Sequence, residues 1–385
     1  MSAARRSGRA LRVALAALVC ATLAGCGSFW PWSGPAKPKI PDPPAASSSV
    51  AARLAWTHRV GPSQDGFAPA FAAGSAYAAS SQGTVASVDA ATGAVRWQVD
   101  LGVRLSAGAG SDGNVVVVAT RAGELVALDA RGARKWSVPL GAEAVTVPAV
   151  GLGTVIVRGS DNRVQAFDSD TGKRRWSFQR QTPPLVLRQT ASIAIDAGTA
   201  YVGLPGGRLA ALSLENGALR WEATVAQPRG ATEIERIADV VGSPLVSGRE
   251  VCAVSYQGRL ACYDAPSGRA LWARDLSSAR GLDLDARLVI TADDGDRVHA
   301  YTRTGSSVWT QDKLARRGVS APLSLGEVVV VGDYQGYVYL LSRDDGAIAG
   351  RFATDGSAVV AAPVAAGRVA VVQTRGGTLA GVALQ

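Results

Sequence analysis

An all-β ring is the fold class this sequence predicts, and three observations carry the prediction. First, a turn rich in Gly and acidic residues leads repeatedly into an aromatic residue, at Asp89–Trp97, Asp129–Trp136, Asp168–Trp176, Ser213–Trp221, Asp264–Trp272, Tyr301–Trp309 and Arg343–Phe352, with a half-copy at Leu54-Ala55-Trp56. Second, the seven intervals from Trp56 to Phe352 span 296 residues, about 42 each, the length of one four-stranded propeller blade. Third, the chain between the marks breaks into runs far too short for helices. From Val241 to Leu276 the runs begin at Ser243, Val251, Arg259 and Arg269, and the breaks fall at Gly248-Arg249, Gln257-Gly258 and Pro266-Ser267-Gly268, where Gly permits tight hairpins. The expectation is an eight-bladed β-propeller of four-stranded antiparallel blades, occupying residues 54–385.

The chain ends predict how the ring closes. After Phe352 only three strands remain, Ala358–Ala365, Arg368–Thr374 and Thr378–Leu384, and Leu54–Val60 supplies the fourth. A blade built from both termini latches the ring and covers sheet edges. One Trp per repeat in the outermost strand reads as a packing key between blades rather than a stacking platform for sugars or cofactors.

Residues 1–25 read as a signal peptide, with Arg5, Arg6, Arg9 and Arg12 preceding the apolar run Val13–Leu23, which is too short for a permanent span. Leu23-Ala24-Gly25-Cys26 resembles the bacterial lipoprotein signal, which implies a lipid on Cys26. Gly27 stands where that pattern would place an inner-membrane retention Asp, which implies the outer membrane. Residues 26–53, rich in Pro and Ser, read as an extended tether.

Composition excludes several functions. The formal charge of +9 falls to +5 without the four signal-peptide arginines, with no basic run longer than three, so nucleic-acid binding is unsupported. His58 and His299 are the only histidines, and no zinc spacing, nucleophile elbow or phosphate loop is present. Asp283, Asp285, Asp293, Asp294 and Asp296 lack the spacing of a calcium loop and read as solvated turn acids. Glu233 and Glu235 read as surface positions of a strand-like segment. With a two-residue turn at Gln257-Gly258, Cys252 faces Tyr263 rather than Cys262, which leaves two free thiols; a bulge would realign them into a disulfide.

Two resemblances follow from these motifs. The Asp-x-x-Thr-Gly-x-x-x-Trp repeat at Asp89–Trp97 and Asp168–Trp176 resembles that of the pyrroloquinoline quinone dehydrogenases, which implies eight blades. Those enzymes would also bring a vicinal Cys pair, a calcium site and a catalytic Asp; no two cysteines here are adjacent, so a quinoprotein is the alternative reading and no cofactor is expected. The lipobox, the Pro-rich tether and the eight repeats together are similar to the BamB family, lipoprotein subunits of the machinery that folds β-barrels into the outer membrane. Pro184-Leu185-Val186-Leu187-Arg188 is similar to that family's Leu-x-Leu-Arg loop, and Ala231–Asp239 to its Thr-Glu-Ile-Asp-Arg segment; Gly332–Tyr337 also fits. The resemblance implies a non-catalytic periplasmic scaffold docking on the POTRA domains of BamA through Leu185, Leu187, Arg188 and Asp239. It departs at Val241, where the family has a second acid. A propeller that binds sugars or unfolded strands by edge pairing remains a further class.

Topology points to the same surface independently. The Trp176–Trp221 and Trp221–Trp272 intervals are the longest, 45 and 51 residues, and the excess falls between one blade's outermost strand and the next blade's innermost strand. All such connections emerge on one face, so Gln181–Gln189 and Ala226–Ala238 are expected as neighbouring rim loops. Apolar residues beside an Arg on a projecting loop have the character of an interface anchor.

Overall fold

Eight four-stranded antiparallel sheets follow one another along the chain in the computed structural model, which describes residues 40–47, 49–144, 146–181, 183, 185–187 and 192–385. Cys26 and Arg188 lie outside the described residues. Seven blades use consecutive strands: blade 1 spans 70–100, blade 2 110–139, blade 3 149–178, blade 4 193–224, blade 5 240–275, blade 6 282–311 and blade 7 323–353. Blade 8 takes Val364–Ala366, Val369–Gln373 and Thr378–Leu384 from the C-terminal end and Ala52–Arg59 as its outermost strand, as expected. No described residue is helical.

A single local device repeats around the ring. In every blade the ladder between the third and outermost strands slips by one residue, immediately before Trp56, Trp97, Trp136, Trp176, Trp221, Trp272, Trp309 and Gly350. A bulge of this kind re-aims the next side chain. Each of the seven indoles thereby reaches the following blade, donating Nε1–H to a turn carbonyl at 2.7–3.1 Å. It lies flat on that turn's Gly, whose φ is between +70° and +85°. A methyl group built on Gly217 would sit 2.7 Å from Trp176, so Gly is required there for its backbone and for its missing side chain.

Core clusters consequently lie between blades. Trp176 packs with Ile156 and Ala166 of blade 3 and with Ala200, Val202, Leu212 and Leu214 of blade 4. Phe352 ends the turn motif of blade 7, but the register places Gly350, opposite Leu340, where the other blades carry Trp. The reason is topological. Blade 8 has no chain joining its third strand to its outermost one, because the latter comes from the other end of the molecule, and so it offers no turn for an indole.

Residues 43–47 and 49–51 cover that seam instead. Ser47 N donates to the Ile348 carbonyl at 3.0 Å, Arg351 holds the carbonyls of Pro43 and Pro44 at 3.0 and 2.8 Å, and Gln385 N donates to the Ala51 carbonyl at 2.8 Å. Ala46 packs on the Trp309 cluster, and Val50 on the cluster holding Val382, Phe352 and Leu384. The last part of the segment read as tether is therefore held against blades 7 and 8.

The cysteine register also differs from expectation. Val254 pairs with Leu260, so the hairpin turns through three residues, with Gln257 at φ 48°, and Cys252 lies opposite Cys262 in a disulfide. The same three-residue turn recurs in other blades, where a Ser, Thr or Asp oxygen accepts the amide four residues on. Ser80, Thr120, Ser255, Asp293, Asp333 and Thr374 all act in this way. That bond favours the odd turn over the two-residue one.

Candidate functional site

The two long connections run from Phe178 to Ile193 and from Thr224 to Val240. Both lead from an outermost to an innermost strand, so they share one rim with the turns between second and third strands. One carboxylate ties them together. Asp239, only 4% exposed, accepts the Leu187 amide at 2.6 Å on one oxygen and the Gly206 amide at 2.9 Å on the other. The expectation that Asp239 faces a partner is corrected, because a buried carboxylate is stable only with donors and both its oxygens are committed inward. Val241, the departure from the family pattern, is buried in the cluster of Cys252, Val254 and Leu260 and presents nothing to solvent.

Of the two predicted leucines, Leu185 is 41% exposed, whereas Leu187 is half-buried against that same blade 5 cluster. Leu187 anchors the loop and Leu185 projects from it. On the second loop Glu233 and Glu235 do not lie on a strand. Thr232 and Glu235 form a capping box: Thr232 Oγ1 accepts the Glu235 amide at 3.3 Å, and Glu235 Oε2 accepts the amides of Ala231 and Thr232 at 2.7 and 3.1 Å. The Thr232 and Ala231 amides hold the Glu235 carboxyl below its ordinary range. This single turn carries Ile234, 68% exposed, which sequence reasoning passed over although the Thr-x-x-Glu spacing was visible. Gln257, with its amide oriented to satisfy both ends, donates to the carbonyls of Glu235 and Ile237, and Tyr256 N donates to that of Asp239. Beside the loops lies a recess of about 340 Å³ with Pro183, Leu204, Pro205 and Pro228 in its wall and Arg180 and Arg208 at its edge.

The remaining candidates divide differently. Of the five blade 6 acids expected to be solvated, Asp294 is exposed, whereas Asp293 and Asp296 are buried and Asp283 and Asp285 are half-buried. Asp293 accepts from His299 Nε2 at 2.9 Å and Arg297 Nε at 2.7 Å, and Asp296 accepts the amides of Gly318 and Val319. Asp293 closes its own turn through the Gly295 and Arg297 amides, and Asp296 ties that turn to the connection leaving blade 6. Glu250, Cys252 and Cys262 lie close enough to share a metal, but the sulfurs are bonded to each other and Glu250 is paired with Arg303. A channel recess of about 460 Å³ is lined mainly by Ala, Gly, Pro and Val, with Asp65, Arg280 and Asp283 as its charged groups. Without a vicinal Cys pair or a set of donors converging on a planar quinone, these residues do not fit pyrroloquinoline quinone.

Fold and rim together define an eight-bladed β-propeller whose two longest described connections share one rim and carry the exposed Leu185 and Ile234. A family profile described as outer membrane protein assembly factor BamB matches residues 81–311 and 294–385. The protein of that name from Bordetella pertussis strain Tohama I is 42% identical over 377 residues, 97% of each chain. The crystal structure of BamB from Moraxella catarrhalis superimposes with a TM-score of 0.79 at 30% identity, covering 86% of this chain and 100% of that one. A quinohemoprotein alcohol dehydrogenase from Comamonas testosteroni shares the fold alone, with a TM-score of 0.68 at 15% identity over 86% of this chain and 76% of its own. The chain belongs to the BamB family of outer membrane protein assembly factors.

Proposed function

We propose that this protein is a non-catalytic scaffold, anchored by a lipid on Cys26 in the outer membrane and facing the periplasm, that docks on the POTRA domains of BamA. The observation that carries the reading is the rim. Leu185 and Ile234 stand in solvent on two long loops that Asp239 and a capping box hold rigidly, and a pre-set loop loses little entropy on binding. Leu185 enters an apolar groove of the partner, Arg188 pairs a carboxylate there, and Leu187 and Asp239 hold the loop in its pose. The Pro-lined recess with Arg180 and Arg208 extends the same surface.

Full burial of Leu185 contributes ~1.5–3 kcal/mol, so Leu185→Asp is expected to weaken binding to a purified BamA POTRA fragment at least tenfold, one decade per ~1.4 kcal/mol. Its exposure in the free chain means the melting temperature stays at the parent value. Ala94→Asp, on the turn face opposite the rim, is expected to bind as the parent does. Calorimetry in which Ala94→Asp loses binding while Leu185→Asp keeps it places the docking face on the wrong side.

A further inference from the structure

Beneath the rim one residue breaks the repeat. The second residue before the three-residue turn of each blade is, in order, Ala79, Ala119, Arg158, Gly203, Val254, Ala292, Gly332 and Gln373. Six are small or apolar. The two long polar side chains make the same contact: Gln373 Nε2 donates to the Ala79 carbonyl at 2.8 Å, and Arg158 donates to the Gly203 carbonyl at 2.6 Å. Each reaches the equivalent residue of the next blade. A neutral amide suffices for that bond in blade 8, so the bond does not account for a full charge in blade 3.

Arg158 is 5% exposed, and a buried guanidinium costs several kcal/mol unless an opposite charge lies nearby. Burial lowers Arg158 to about 10, and Asp239 is the charge that opposes this. The geometry places the two groups on the same few residues. Val240 packs so tightly on Gly203 that a methyl group there would lie 2.7 Å from its Cγ1, and Gly206, in the turn just after Gly203, gives its amide to Asp239. The other Asp239 oxygen takes the Leu187 amide. Parts of blades 3, 4 and 5 thus bring these two buried charges to the same few residues that hold the Leu187 amide.

We propose that Arg158 is a positioning residue for this loop: its charge stabilises the buried Asp239 carboxylate that holds the Leu187 amide, and so sets the pose of Leu185 without touching a partner. The inference rests on the docking reading above and names a residue that neither the sequence motifs nor the exposed surface reveals.

Arg158→Gln isolates the charge, because Gln373 shows that an amide in this place keeps the blade-to-blade bond. Hydrogen exchange at the Leu187 and Gly206 amides is expected to quicken at least tenfold while blades 6 to 8 exchange as in the parent, and affinity for the BamA POTRA fragment falls at least tenfold. Arg158→Lys, which keeps a charge, is expected to retain most of the protection and affinity. Unchanged exchange at Leu187 in Arg158→Gln overturns the proposal, as does an Arg158→Lys chain that loses protection as fully as Arg158→Gln. Should Arg158→Gln not fold, Asp239→Asn carries the comparison, since it lacks the second carboxylate oxygen; unchanged exchange at both amides overturns the proposal. Exchange is read without a partner. A parent chain that fails to bind the fragment sinks the docking reading while the Leu187 result still decides the role of Arg158.

Discussion

At the scale of single residues, the Trp series illustrates how a side chain and a backbone position depend on each other. The Trp176 indole is buried, bonded to the Leu214 carbonyl at 2.9 Å and pressed on Gly217. Trp176→Ala leaves an inter-blade void and is expected to cost about 3–5 kcal/mol in urea unfolding; a midpoint equal to the parent's would mean the indole is dispensable. Asp283 makes the opposite kind of contribution. Burial, reinforced by neighbouring Asp285, pushes its carboxyl up to about 6, although the Ser324 and Leu284 amides pull the other way. The unfolded chain releases this proton near pH 4, and the folded chain holds it to about pH 6. Folding is therefore penalised progressively across that window and fully above it. Asp283→Asn is expected to gain at most about 3 kcal/mol at pH 7.5 and nothing below pH 4. Unfolding curves at the two pH values check this, and an equal gain at both would assign the effect to packing.

At the scale of elements, the seam is where the repeat fails and a non-repeating segment compensates. Gly350 stands where Trp stands elsewhere, and residues 43–47 and 49–51 supply Ala46, Val50 and the Pro43 and Pro44 carbonyls that accept from Arg351 in the same region. Removing residues 40–51 while keeping Ala52–Arg59 is expected to lower the melting temperature by about 5 °C, at roughly 2 °C per kcal/mol for a domain of this size. Faster hydrogen exchange is expected first in blades 7 and 8, the neighbours of the exposed seam. A uniform change around the ring, or none, would show that the segment rests on the seam without stabilising it.

At the scale of the whole molecule, ring closure and the proposed anchor are separable. Closure by Ala52–Arg59 makes the fold independent of the proposed lipid, so Cys26→Ala is expected to release a folded propeller from the membrane fraction. Acyl chains contribute ~0.8 kcal/mol per buried methylene, which makes spontaneous release negligible while they are attached. Fractionation after a high-salt wash checks it. An Ala variant that stays with outer membranes would show that partner contacts alone retain the protein.

Blade number, strand order, closure and the two long rim loops were legible in the sequence, because a 42-residue period and the Trp-Gly pairing are one-dimensional signals written by local turn chemistry and by contacts between consecutive repeats. The family match was equally local, carried by short motifs. Register was not. A one-residue difference in the turn at Gln257 moved Cys252 from opposite Tyr263 to opposite Cys262, and a bulge put Gly350 rather than Phe352 at the position that Trp holds in the other blades. Which way Asp239 faces, how deep Arg158 lies and which leucine projects were decided only when three blades met, because their burial and hydrogen bonds depend on residues 33 to 52 positions apart in the chain. Strand patterns specify neighbours within a blade; the site is assembled across blades, where only the tertiary structure brings its charges and donors together.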